Sequence, residues 1–151
     1  MGIHAKKLFS EKDLKIIADT IGEVESSTSG EVRVSIRQKR RWGEKKLSIE
    51  QLARMEFHNL GMTQTRDRTG VLIFLLLQER QFYILADEGI HTKVEEGTWQ
   101  NIANEISTQF AQQHFFEGII KGIRSVGEVL AKNFPRKSDD KNELPNSVTI
   151  S

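Results

Sequence analysis

With no cysteine in 151 residues, the side chains left for chemistry are carboxylates, guanidinium groups and four histidines. Thiol nucleophiles, disulfide scaffolds, cysteine-held zinc and iron–sulfur clusters are excluded. His4, His58, His91 and His114 are far apart, and no pair has a ligand spacing such as His-Glu-x-x-His. The acids are the sharper lead. Glu31, Asp67, Asp87 and Glu88 flank apolar runs that read as strands, and Asp139, Asp140 and Glu143 follow in the tail. A hard cation such as calcium takes about six to eight oxygen ligands, drawn from carboxylates, carbonyls and water. Asp87, two residues before Gly89, is the expected core ligand, and the other acids could join it. The ordinary alternative is that acids at strand ends are solvated or cap the backbone. The contiguous calcium-loop spacing of an EF-hand is absent. Arg68 is a candidate phosphate contact, or else the partner of Asp67 or Asp87 in a salt bridge.

A second constellation runs from Arg37 to Lys46, with six basic residues against one acid and Trp42 in the middle. Arg37, Lys39, Arg40, Arg41 and Trp42 are candidate docking residues for an acidic protein, RNA or an anionic lipid surface. A solvated, charged edge that discourages sheet-to-sheet pairing is the plain alternative.

The elements that must position these groups follow from periodicity. Ser10 to Asp13 reads as a capping box, and Leu14, Ile17, Ile21 and Val24 continue it at helical spacing. Val32, Val34 and Ile36 alternate with Arg33, Ser35 and Arg37, which predicts a strand with one buried face. Ser48 and Gln51 form a second capping box for a helix that stops at Gly61. Val71 to Leu77 is uniformly apolar and predicts a fully buried strand. A polar turn at Gln78-Glu79-Arg80 leads to a further strand from Gln81 to Ala86, completing a hairpin. Trp99 to Phe110, capped by Thr98, and Phe116 to Leu130 predict two more helices. Gly118 and Gly122 share a face of the last helix, where a neighbour can approach closely. Pro135 ends it.

The strand–helix–strand unit from Val32 to Leu77 should be a right-handed parallel crossover. The expected fold is therefore α/β, a three-layer αβα sandwich with a small mixed sheet and about four helices. Strand direction alone then collects Glu31, Asp67, Asp87 and Glu88 along one rim. Residues 1–9 read as an N-terminal extension, 10–135 as a single domain, and 136–151 as a tail without regular structure that could be pinned to the domain.

Composition bounds the function classes. Twenty-two basic residues nearly cancel 21 acidic ones, giving a formal charge of +1, which argues against a dedicated nucleic-acid binder. The start lacks the apolar core of a signal peptide. The longest apolar run, Val71 to Leu77, falls well short of the roughly 20 residues that span a bilayer. A cytoplasmic protein with no membrane span of its own is the expectation. Its partner would be an unidentified protein, and that partner could itself be membrane-associated.

Thr28-Ser29-Gly30-Glu31-Val32, Arg68-Thr69-Gly70-Val71-Leu72-Ile73 and Ala86-Asp87-Glu88-Gly89-Ile90 stand in this order along the chain. Phe110, the Gly118 to Gly122 segment and Asp139-Asp140-Lys141-Asn142-Glu143-Leu144-Pro145 follow. Together they resemble the TPM domain, named for a thylakoid-lumen photosystem repair phosphatase and its relatives. The chain is most similar to the short, stand-alone bacterial members. The resemblance implies an αβα sandwich and a divalent-cation site, calcium before magnesium, with no organic cofactor. It also implies acid phosphatase activity, attributed to the plant lumenal branch. The sequence in hand shows neither a segment like that branch's transit peptide nor the C-terminal membrane helix of longer members, so a lumenal or periplasmic role is not expected. It also has no Asp-x-Asp strand start and no Arg-His-Gly. The leading expectation is thus a non-enzymatic, cation-stabilised interaction module. The rival is a metal-dependent phosphomonoester hydrolase, and a basic-loop binder of RNA or anionic lipid comes third.

Overall fold

The computed structural model describes residues 8–64, 68–136 and 147–151. Helix α1 (Glu11–Glu25) opens on the expected capping box: Asp13 N donates to Ser10 Oγ at 3.0 Å, and Ser10 N to the Asp13 carboxylate at 3.1 Å. Strand β1 (Glu31–Arg37) leads to helix α2 (Ile49–Asn59), which opens with the same reciprocal bonds between Ser48 and Gln51. Strand β2 (Gly70–Leu76) is joined to β3 (Gln81–Ala86) by one turn of 3-10 helix and by Arg80, whose φ of 53° reverses the chain. A four-residue helix α3 (Glu88–His91) follows, then α4 (Thr98–Ala111), α5 (Phe115–Asn133) and a short strand β4 (Val148–Ile150).

The sheet order is β3-β2-β1-β4. β1 is parallel to both β2 and β4, and β3 is antiparallel to β2. The expected α/β sandwich with a mixed sheet is therefore the fold. Two apolar clusters confirm the layers. On one side α1, α4 and α5 bury Ile17, Ile21, Ile106, Ile119 and Ile123 against Val32, Val34, Ile36, Val71 and Ile73. On the other, α2 places Leu52, Ala53 and Phe57 on Leu72, Phe74, Leu76 and Leu85. β2 lies between both layers, which is why all seven of its residues are buried.

In the assignment of elements and caps, the structure corrects the sequence reading in three places. Val148–Ile150 lies in the segment read as irregular, yet it pairs with Val34 to Ile36 and closes the far side of the sheet. α3 was not expected. It is a single turn capped by Asp87, whose side chain accepts from Glu88 N. Thr98 does not cap α4: Gly97 holds the cap position at φ 86°, a left-handed conformation that suits glycine, and no side chain bonds there.

The glycines of α5 do permit close approach. A Cβ on Gly122 would stand 2.6 Å from Ile106 of α4, and one on Gly127 would stand 2.6 Å from Val24 Cβ of α1. Val24 presents the stem of its side chain and cannot rotate away. Gly127→Ala should therefore lose about 1–3 kcal/mol to overpacking, more than the helix-propensity gain of about 1 kcal/mol. Gly22→Ala, on exposed α1 surface with nothing within 4 Å, should gain about 0.5–1 kcal/mol. Urea unfolding of the two variants checks the pair. Equal signs would contradict the packing described.

Candidate functional site: the carboxylate rim and the buried polar face of β1

The strand register brings distant acids to one rim. Glu31 pairs with Gly70 across β1 and β2, and Asp87 N donates to Gly70 O at 2.9 Å just past the end of β3. Side chains alternate along strands, so Glu31 and Asp87 fall on the α2 side of the sheet, in one cross-strand row with Gly70 between them. Both are buried, at 4% and 6% exposure. Glu88, next in the chain, is exposed. Asp67, Asp139 and Asp140 lie outside the described residues.

Arginines meet these carboxylates. The Arg68 guanidinium grips Asp87 with two bonds, Nε to Oδ2 at 3.0 Å and Nη2 to Oδ1 at 3.2 Å. Asp87 Oδ1 also accepts from Glu88 N at 2.7 Å. Hydrogen bonding to Asp87, and then charge attraction, holds the Arg68 guanidinium above its usual pKa. The salt-bridge reading of Arg68 is thus realised with Asp87, and Glu88 stands 3.9 Å away. Glu31 lies 3.9 Å from Arg33. Among the described residues no group of three or more histidines and carboxylates converges on a point that could hold a metal ion. A cleft of about 260 Å³ adjoins the Arg68–Asp87 pair, lined also by Arg54, Glu88 and His91.

The polar residues of β1 form a second constellation that sequence reading placed at the surface. Glu31, Arg33, Ser35 and Arg37 are all under 5% exposed. Glu25, the last residue of α1, accepts from Arg33 Nη1 and from Val32 N, each at 2.8 Å. Val32 needs that acceptor because β4 reaches only as far as Val34 along this edge. Ser35 donates to Glu56 of α2. Arg37 Nη1 donates to Glu44 Oε1 at 2.7 Å and lies over the Phe74 ring. No local spacing announces these pairs, since Glu56 is 21 positions from Ser35.

This alters the basic run. Arg37, expected on a docking surface, is 2% exposed and belongs to the interior, because it ends a strand whose polar face is covered. Arg40 is also engaged: it bonds both Glu79 oxygens and the carbonyls of Glu44 and Leu47, and the Glu79 bond raises its pKa. Lys39, Arg41, Lys45 and Lys46 stay exposed around Trp42, which is fully exposed. One buried ion pair, Arg37–Glu44, and one partly exposed pair, Arg40–Glu79, therefore brace a loop that carries four outward cations and one tryptophan.

The TPM domain model matches residues 3–129. The chain belongs to the TPM domain family. Among solved structures, this TPM domain is similar to the BA42 protein of the psychrophilic bacterium Bizionia argentinensis, at 35% identity and TM-score 0.86, over 98% of this chain and 99% of that one. The N-terminal domain of a P. gingivalis protein shares the fold at 17% identity and TM-score 0.68, over 86% of this chain and 81% of that one. The N-terminal domain of the cg2496 protein of Corynebacterium glutamicum does so at 15% and 0.64, over 92% and 84%. Among curated proteins, none matches the chain. No helix among the described residues is long and apolar enough to cross a membrane.

Removing Glu44 strands the Arg37 charge in the interior. Glu44→Ala should destabilise the TPM domain by about 3–5 kcal/mol in urea unfolding, the cost of an uncompensated buried charge. Glu44→Gln, which keeps an acceptor for Arg37 and for Arg41 N, should lose less. A loss under about 1 kcal/mol for the alanine variant would mean that water reaches Arg37.

Proposed function

We propose that the protein is a non-enzymatic interaction module whose rim takes up a divalent cation, calcium before magnesium, by exchange with an arginine. The observation that carries this reading is the row Glu31–Gly70–Asp87, which fixes two buried carboxylates at one end of the sheet. The donor set suits a hard cation because it is all oxygen. As folded, Arg68 occupies Asp87. Its side chain is 43% exposed, so it can turn to solvent and release both oxygens. Asp87 and the exposed Glu88 would then hold the ion, with Glu31 in the same row and water completing the shell. The gain is a rim whose charge depends on the ion, next to the cleft lined by Arg54 and His91. A metal-dependent phosphatase is the weaker reading. Arg68, its one candidate phosphate contact, is committed to Asp87, and the family's activity elsewhere does not carry over residue by residue.

Exchange makes a distinctive prediction. Calcium should raise the melting temperature, because an ion bound only by the folded state stabilises it. Asp87→Asn should abolish the shift. Arg68→Ala should enlarge it, since the competitor is gone, even if the variant starts from a lower melting temperature. Equal shifts in all three proteins would defeat the reading. Turnover of an aryl phosphate that requires calcium and is lost in Asp87→Asn would favour the hydrolase instead.

A second reading rests on Trp42. A fully exposed indole ringed by Lys39, Arg41, Lys45 and Lys46 fits the interface of an anionic membrane, where aromatic rings sit at headgroup level and basic clusters add attraction. One aromatic is too few for a stacking platform on single-stranded RNA. Co-sedimentation with phosphatidylserine vesicles should be strong at low salt, absent with phosphatidylcholine, and reduced in Trp42→Ala. Indifference to lipid charge would remove this reading.

A further inference from the structure

We infer that the open edge of β3 is a docking site for an extended peptide, which adds to the sheet as a further strand. β3 is the outer strand on its side of the sheet. The bond from Asp87 N to Gly70 O sets the phase of the antiparallel ladder: Leu85, Tyr83 and Gln81 exchange bonds with β2, and the main-chain groups of Phe82 and Ile84 point away from it. Among the described residues, neither has a backbone partner on that outer side. Two outward donor–acceptor sets, one full pleat apart, match the repeat of another extended chain and of little else.

Three further observations support the same occupant. First, the edge is undefended. Gln81–Ala86 has no charge and no proline, the usual devices that keep an edge strand from pairing. The opposite edge, β4, is three residues long, so shortness protects it. Second, the edge is recessed. Phe82, Tyr83 and Ile84 are half-buried, and a groove of about 490 Å³ runs beside them. Ile49 at the start of α2 forms one wall, and Trp99, Ala103 and Ser107 of α4 form the other. A peptide strand laid along Phe82 to Ile84 would sit between these walls. Third, Arg80 lines the groove at the start of β3, is exposed, and makes no ion pair with the described residues. The peptide that fits has apolar side chains at alternate positions, facing Trp99 and Ala103, and an acidic residue next to Arg80. The groove lies at the start of β3 and the carboxylate rim beyond its end, so this inference stands apart from the cation reading.

The test is selection from a displayed library of random short peptides against the full chain with chelator present, so that failure of cation binding cannot affect it. Selected sequences should alternate apolar and polar residues and carry an acid at one end. When a selected peptide binds, hydrogen exchange at the Phe82 and Ile84 amides should slow at least tenfold. N-methylation of the peptide at its inward-facing amides should weaken binding about tenfold or more, and N-methylation at the outward-facing amides should not. Ser107→Trp, which fills the groove from an exposed helix position, should abolish binding while the amide spectrum stays folded. Failure to enrich any peptide would overturn the inference. So would binders that leave the Phe82 and Ile84 amides unprotected or that ignore Ser107→Trp.

Discussion

An interior strand that buries charge on one of its faces constrains most of this molecule. β1 lies between β2 and β4, and the side of it that alternation assigns to water is closed off: Glu31, Arg33, Ser35 and Arg37 are all nearly inaccessible. An ion taken into a protein interior costs several kcal/mol unless a partner is held in place beside it. Each partner here comes from a different element. Glu25 ends α1, Glu56 lies mid-way along α2, and Glu44 stands in the loop between β1 and α2. Satisfying one strand therefore fixes where α1 stops, how α2 is rotated, and how the basic loop folds. Glu25 does two tasks at once, since it also accepts the Val32 amide that β4 is too short to reach.

The loop shows how this constraint reaches the surface. Of its cations, Arg37 is consumed by Glu44 and Arg40 by Glu79. The two pairs tie the loop to β1 and to the β2–β3 turn, and Gln78 N bonds Gln38 O at the same junction. What projects from so braced a loop is a chosen subset of a basic run. At the other end of the sheet the same chemistry recurs with a difference. Arg68 meets Asp87 as Arg37 meets Glu44, but Arg68 is half-open to water where Arg37 is not. The interior pair is shielded from water, and the arginine of the rim pair is within its reach. That difference in burial is the reason ion exchange is proposed at the rim and not in the interior.

Much of the architecture was legible because it rests on local signals. Ser10 with Asp13, and Ser48 with Gln51, announce helix starts within four residues, and both boxes close as expected. The uniform apolarity of Val71 to Leu76 demanded two covering layers, and both exist. Strand direction placed Glu31 and Asp87 at one rim, and the register agrees. What escaped the sequence is non-local. Alternation in β1 reads as a polar face in water, because nothing within the strand reveals acids arriving from three other elements. β4 is held by main-chain bonds between Val34, Ile36, Ser147 and Ser151, which carry no side-chain signature. Arg68 was legible only as a choice between two roles, and only the folded chain brings its guanidinium onto Asp87.

The central claim is that a cation and Arg68 compete for one carboxylate. A residue-resolved nitrogen–proton NMR titration with calcium, following the Arg68 Nε–H together with the Glu88 and Gly89 amides, addresses it directly. The Arg68 signal should move toward that of a solvated guanidinium while the Glu88 and Gly89 amides shift with the same midpoint. If the Arg68 Nε–H stays where it is while millimolar calcium binds elsewhere or not at all, the competition does not exist.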